Sequence, residues 1–320
     1  MDTALPPAIV IPSWNSVELL PGCLDSIAAQ GALAETIVVD NGSTDGSVEY
    51  LRGRGVSVIS LPENVGFAAA VNLGARSVDA EAILALNADT VLEPGCLPEL
   101  VRALAADPRL GGVQPRILQL EGEADDPAAA RIYSVGQALS ADGRAFEEGA
   151  GASQSAALRE HEVFGVCGAA CLLRRALFEQ LGGYDERYFA FYEDVDLNVR
   201  ARIAGWRFAL VPEAVVWHLG NASWQAGFAR PGAENARLVG RNRLATQVKF
   251  MSVAALPRIA TVELGSLVKA AAQRRLIATV SGKLEALRWL PALLRERRRL
   301  RREGERARAR RWLGVRTAGA

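Results

Sequence analysis

The sequence predicts an α/β fold that is Rossmann-like and mainly parallel in its first half, mixed in its later strands, and helical at its end. Three observations carry that expectation. Short apolar runs alternate with helical periodicity over the first hundred residues, as strand–helix–strand crossovers require. Aspartates stop two of those runs, Asp40 and Asp89, where the carboxyl ends of strands in such sheets gather ligands. From about Glu234 the chain reads as helical and increasingly basic.

Ala8-Ile-Val-Ile-Pro12 is compact enough for a buried strand, and Asn15 or Ser16 offers a cap for a helix through about Gln30. Thr36 to Asp40 predicts a second strand, ended by the turn-rich Asn41-Gly-Ser-Thr-Asp-Gly46, with a short helix from Ser47 to Arg52. Val56 to Ser60 and Glu81 to Leu86 predict two more strands, separated by helical periodicity from Val65 to Arg76. The middle is less regular: Glu121 to Ala130 and Glu147 to Gln154 read as loops free to move. Order returns with the apolar Val163 to Leu173 and a helix from Arg174 to Leu181 that stops at Gly182-Gly183. Tyr184 to Asp196 is the densest polar and aromatic segment; a helix runs from it to Ala204, followed by strands at Arg207 to Val211 and Ala214 to Trp217. Residues 1–235 are expected to form the main α/β domain and 236–320 a helical, basic appendage.

Composition narrows the class. Half of the 320 residues are hydrophobic and 23% are charged, ordinary for a globular protein. Between Arg295 and Arg316 stand eleven arginines against three glutamates, a local net of +8, so the rest of the chain carries −7 to reach the overall +1. The most apolar long stretch, Met251 to Ala272, is broken by Pro257, Arg258, Glu263 and Lys269, so no span is expected. Four cysteines without metal spacing, and no leader pattern, point to reduced thiols in a cytoplasmic protein. Two histidines, His161 and His218, exclude a histidine-rich metal centre.

Six motifs occur in order: Val10-Ile-Pro-Ser-Trp-Asn15, Val39-Asp-Asn-Gly-Ser-Thr-Asp-Gly-Ser47, Glu63-Asn-Val-Gly-Phe67, Leu86-Asn-Ala-Asp89, Gly182-Gly-Tyr-Asp-Glu186 and Phe191-Tyr-Glu-Asp-Val-Asp-Leu197. Together they resemble glycosyltransferase family 2, particularly its rhamnosyltransferase-like branch, over roughly the first 250 residues. The resemblance implies a GT-A type nucleotide-diphospho-sugar transferase fold and a nucleotide-sugar site drawn from Pro12, Asp40, Asn41, Ser43, Asn64, Gly66, Asn72, Asn87 and Arg241. Asp40 would accept the pyrimidine ring N–H; as a residue by itself it reads rather as a turn former. Asn64 and Gly66 would let backbone approach the nucleotide, or simply open a helix.

Asn87-Ala-Asp89 stands where the family carries its Asp-x-Asp metal element, with Asn in the first position, so Asp89 alone is a charged ligand. His218 resembles the late histidine that completes the metal sphere, although a lone histidine on an apolar strand is also an ordinary core residue. A diphosphate leaving group gathers negative charge that Mg²⁺ or Mn²⁺ neutralises.

For an inverting transfer one carboxylate must accept the acceptor's proton. The resemblance gives that part to Asp194, with Glu193 and Asp196 beside it as further catalytic candidates. Residues two apart on a helix face different ways, so Asp194 and Asp196 are expected to differ in role. All three acids also suit the mere capping of a helix. The phenylalanines of this segment read as core and its tyrosines stay open. Arg241-Asn242-Arg243 reads as a donor contact or a solvated helix face.

The expected activity is hexosyl transfer, rhamnose favoured, from a dTDP- or UDP-sugar to a lipid-linked or polysaccharide glycan in envelope assembly. A nucleotidyltransferase, or a nucleotide-sugar-binding protein without turnover, is the rival. The first would show an early Gly-rich phosphate loop, which is not found, and the second is opposed by Asp89, Asp194 and His218 together. The basic tail, with Trp312 and Leu313 among its arginines, suits an anionic membrane surface on the inner face of the plasma membrane better than nucleic acid. A solvated tail is the plain alternative.

Overall fold

In a computed structural model, residues 7–31, 34–119, 130–155, 159–219 and 231–302 are described. The chain runs through β1 (Ala8–Ser13), α1 (Leu20–Ala28), β2 (Glu35–Asp40), α2 (Ser47–Gly53), β3 (Ser57–Ser60), α3 (Phe67–Ser77), β4 (Ala82–Leu86), β5 (Thr90–Leu92), α4 (Cys96–Ala106) and β6 (Leu110–Gln119). It continues through β7 (Arg131–Ser134), β8 (Gln137–Leu139), β9 (Ala145–Glu147), β10 (His161–Val163), β11 (Ala170–Arg174), α5 (Arg175–Leu181), α6 (Glu193–Ala204) and β12 (Arg207–His218). Four helices follow: α7 (Pro231–Phe250), α8 (Leu256–Ala272), α9 (Leu276–Arg288) and α10 (Leu290–Arg302).

One large sheet orders its strands β10-β12-β6-β11-β4-β1-β2-β3, with β5 on β12 and β7 on β6. The expected parallel half is present: β4, β1, β2 and β3 are parallel neighbours. Beyond them β11 runs antiparallel to both β4 and β6, so the sheet as a whole is mixed.

The continuous apolar character of β1 has a direct cause. Ile9 and Ile11 pack with α1 and α4 on one face, while Ala8 and Val10 pack with α3 on the other. A strand covered on both faces has no polar alternation to show.

Three local expectations are corrected. Asn15 and Ser16 do not cap α1, which starts at Leu20. Their polar groups are bound to the loop after β2 instead: the Asn15 N–H donates to Ser43 Oγ (2.8 Å), the Thr44 N–H to Asn15 Oδ1 (2.9 Å) and the Ser16 N–H to Ser47 Oγ (3.3 Å). The two late strands are one strand, β12, whose register on β6 shifts between Val211 and Val215. Pro212, which has no N–H to give the ladder, lies inside that irregularity. The 147–154 segment is tied to β7, through Ile132 N–H to Ala152 O (2.8 Å) and Val135 N–H to Glu148 O (3.0 Å). Most of the 121–130 loop, Gly220 and the tail beyond Arg302 lie outside the described residues.

The expected 235/236 boundary falls within α7, whose side chains reach the segment before α6. Lys249, buried on α7, forms ion pairs with Asp196 (2.6 Å), Glu296 (2.8 Å) and Asp185 (3.2 Å). All four cysteines are buried and unpaired. Among the described residues no helix is long and apolar enough to cross a membrane.

Candidate active site

The carboxyl ends of β1, β2 and β4 open onto a cavity of about 370 Å³ closed on its far side by the start of α6. Pro12 and Asn41 line it from β1 and β2, Asn64 and Gly66 from the turn before α3, and Asn87 and Asp89 from the turn after β4. His218 joins them because the antiparallel pairing of β12 with β5 sets it opposite Thr90. Its Nε2 lies 3.3 Å from Asp89 Oδ1, and both side chains are almost fully buried. Neither ring nitrogen of His218 makes a hydrogen bond, and the ring meets Tyr133 edge-on at 4.6 Å. A buried imidazole left unsatisfied against a carboxylate is the arrangement a divalent cation would relieve.

Asp194 lines the same cavity. Its Oδ2 accepts the Gly168 N–H (3.0 Å) and Gln137 Nε2 (2.9 Å), and its Oδ1 accepts the Val195 N–H (2.7 Å). Gln137 is itself fixed, because Asn198 Nδ2 donates to its Oε1 (2.8 Å), which leaves its amide nitrogen facing the carboxylate. Glu193 also lines the cavity, is buried, and its Oε2 makes no hydrogen bond.

The backbone delivering these acids is unusual. Phe189, Phe191 and Tyr192 all have left-handed φ (64°, 67° and 70°), a costly conformation for bulky side chains. Asn242 on α7 compensates: its Nδ2 lies within hydrogen-bond reach of the carbonyls of Tyr188 (2.9 Å), Ala190 (2.8 Å) and Phe191 (2.6 Å). Gly66 makes the close approach possible, since a Cβ there would lie 2.6 Å from the Phe189 ring and carbonyl.

Five of the expected site residues stand behind the cavity. Asp40 is fully buried, with Oδ2 accepting the Ser43 N–H (3.0 Å) and Oδ1 accepting no hydrogen bond. Ser43 uses its hydroxyl on Asn15. Asn72 braces the chain before the acids, donating to Tyr184 O and Glu186 Oε1 (both 2.9 Å) and accepting the Tyr184 N–H (2.8 Å). Asp196 is fully buried between Lys249 and Arg200 (both 2.6 Å), and Arg200 in turn holds the carbonyls of Leu181 and Gly183. It therefore anchors the loop. Arg241 stacks on Trp289, with 4.8 Å from guanidinium to ring, and donates to Tyr188 O (2.8 Å).

The family described as Glycosyl transferase family 2 matches residues 8–182. The chain belongs to that family. Over 201 residues this family-2 chain is 33% identical to N-acetylglucosaminyl-diphospho-decaprenol L-rhamnosyltransferase of Mycobacterium tuberculosis, covering 57% of itself and 65% of that relative. It is 27% identical over 228 residues to the O-antigen chain rhamnosyltransferase RfbN of Salmonella typhimurium, covering 69% of each. Among solved structures, GalNAc-T7 with UDP, GalNAc and Mn²⁺ superposes with a TM-score of 0.57 at 18% identity, over 75% of this chain and 48% of that one. The mannosyltransferase PcManGT of Pyrobaculum calidifontis, in complex with GDP-Man and Mn²⁺, gives 0.52 at 19% over 95% and 88%. These likenesses establish a GT-A fold.

Within this family-2 cavity, Glu147, Gln137 and Tyr133 were not anticipated from the sequence. They arrive on the β7–β9 strands, and no motif marks them. Glu147 accepts a hydrogen bond from Ser134 Oγ (2.6 Å) and Gln137 Nε2 (3.3 Å). Burial, and then the charge of Asp194, push its carboxyl up to about 7. Burial also raises Asp194, against its three hydrogen bonds, and raises Glu193 well above the ordinary carboxylate range. Glu147, Cys167 and Asp194 bring ligand atoms within 4.8 Å of one another. Burial holds the Cys167 thiol far above its ordinary value and hence protonated, so this trio is poorly suited to a hard cation.

Proposed function

We propose that the chain is an inverting, metal-dependent hexosyltransferase that moves a sugar, rhamnose favoured, from a dTDP- or UDP-sugar to a hydroxyl of a lipid-linked or polysaccharide glycan in envelope assembly. The observation that carries the reading is one cavity lined by two chemically distinct groups: the buried Asp89–His218 pair and the hydrogen-bonded carboxylate of Asp194. The names of the two rhamnosyltransferase relatives support the sugar and the acceptor class.

The division of labour follows from the side chains. The wall formed by Pro12 and Asn41 takes the base and ribose, and Asp40, buried behind it, holds the loop after β2 through the Ser43 N–H. Asn87, Asp89 and His218 receive the diphosphate end, and the buried His218 nitrogens fit a divalent cation there, which supplies charge neutralisation to the leaving diphosphate. The acceptor oxygen bonds to the anomeric carbon as the bond to the diphosphate breaks on the opposite face. Its proton passes to Asp194. Gln137 and the Gly168 N–H hold that carboxylate in place, and Glu193 and Glu147, whose carboxyls burial pushes upward, line the cavity beside it.

The test is nucleoside diphosphate release from a panel of dTDP-, UDP- and GDP-sugars with a polyprenyl-diphosphate-linked acceptor, with chelator and with Mn²⁺ restored. Release that requires both acceptor and metal, and prefers a dTDP- or UDP-sugar, is expected. Undiminished release in excess chelator would remove the metal from the reading.

A further inference from the structure

Ten of the twelve large apolar side chains that stand exposed among the described residues lie between Val253 and Leu294. They are ordered by helical spacing. On α8, Leu256, Leu264 and Val268 recur at multiples of four; on α9, Val280, Leu284 and Leu287 recur at four and three, beside Ile277, which is 87% exposed. Such spacing makes one apolar stripe per helix. The other side of α9 is the packed one: Thr279, Gly282 and Ala286 are buried. A stripe of this size left uncovered on a chain whose core is otherwise closed marks an interaction surface.

The charges beside it are of one sign. Lys269, Arg274, Arg275, Arg288, Arg295 and Arg298 are exposed. The three carboxylates between Met251 and Arg301, by contrast, are all half-buried and committed to internal ion pairs: Glu263 to Arg243 and Lys283, Glu285 to Arg237 and Arg241, Glu296 to Arg187 and Lys249. No exposed carboxylate is present among the described residues of that stretch.

We propose that the α8–α9 face seats on an anionic lipid leaflet, with Ile277 and Leu284 in the interface and the flanking cations at the phosphates. A second copy of the chain fits less well, because two-fold pairing sets the same cations against each other with no exposed carboxylate to answer them. The surface precedes the arginine-rich tail beyond Arg302 in the chain. It does not rest on the transferase reading, since the test involves no sugar transfer.

The test is co-sedimentation of the full chain with vesicles of phosphatidylcholine alone or mixed with phosphatidylglycerol, comparing wild type with the double variant Ile277→Glu, Leu284→Glu. Both positions are exposed, so the melting temperature should stay unchanged. Wild type should bind only the anionic vesicles, less tightly as salt rises, and the double variant should bind roughly tenfold or more weakly. Equal binding by the two proteins would overturn the proposal and leave the tail as the anchor. It would equally be overturned by wild type ignoring anionic vesicles, or by light scattering showing a wild-type dimer that the double variant dissociates with vesicle binding unchanged.

Discussion

Asp194→Asn separates the chemistry of the cavity from its architecture. The carboxylate receives three N–H donors, two on Oδ2 and one on Oδ1. An amide keeps one oxygen, so at least one donor is left facing an NH₂ group. That mismatch costs about 1–3 kcal/mol of stability, which differential scanning calorimetry reads directly. Loss of the proton acceptor costs more: roughly 10²–10⁴-fold in kcat, or about 3–5 kcal/mol of barrier. Donor binding, proposed at Asn87, Asp89 and His218, should change little. Burial holds Asp194 above the ordinary carboxylate range, so wild-type kcat should fall as pH drops through that raised value, and the Asn variant should lose this acid limb. The assay is initial rate against pH at saturating donor, with nucleotide affinity measured by titration calorimetry. A folded variant with near wild-type kcat and the same acid limb would refute the assignment and move the base to Glu193.

Glu147→Gln tests the raised carboxyl beside Asp194. Between the ordinary value of 4.5 and about 7 the folded chain keeps a proton that the unfolded chain releases, so this group's contribution is full at low pH and lost as pH rises through about 7. The Gln variant should therefore show a flatter melting temperature from pH 5 to 8 and a higher one at pH 8, by scanning calorimetry; an unchanged slope would mean the carboxyl titrates normally. Asn242→Ala frees the carbonyls that restrain three left-handed residues, and should lower kcat roughly tenfold to a hundredfold with little change in donor affinity. A variant of normal kcat would show that the loop before α6 holds itself.

The parallel half of the fold was legible because β1, β2 and β4 are covered on both faces and read as unbroken apolar runs ending in polar turns. Asn41, Asn87 and Asp89 stood out because each ends an apolar strand run, whereas Asp194, inside a polar and aromatic segment, was marked only by motif resemblance. His218 needed the β5–β12 pairing to become a neighbour of Asp89, which only motif resemblance anticipated. Asp196 shows what spacing cannot tell. Its separation from Asp194 predicted a different direction, yet nothing in the local sequence names Lys249, 53 residues away, as its partner. Gln137 and Glu147 were hidden because a short polar hairpin carries no periodicity, and the Gln137–Asp194 bond spans 57 residues. Asn242 looked like part of a basic surface patch; its role appears only once α7 folds over the strained loop.

The central claim is that one cavity holds the diphosphate at Asp89 and His218, apart from the base at Asp194. A crystal structure of the full chain with dTDP or UDP and Mn²⁺, read by anomalous scattering from the manganese, tests it most directly. The ion is expected at the Asp89–His218 pair beside the diphosphate, with the pyrimidine near Asn41 and Asp194 unliganded. Manganese seated among Glu147, Cys167 and Asp194 would contradict it.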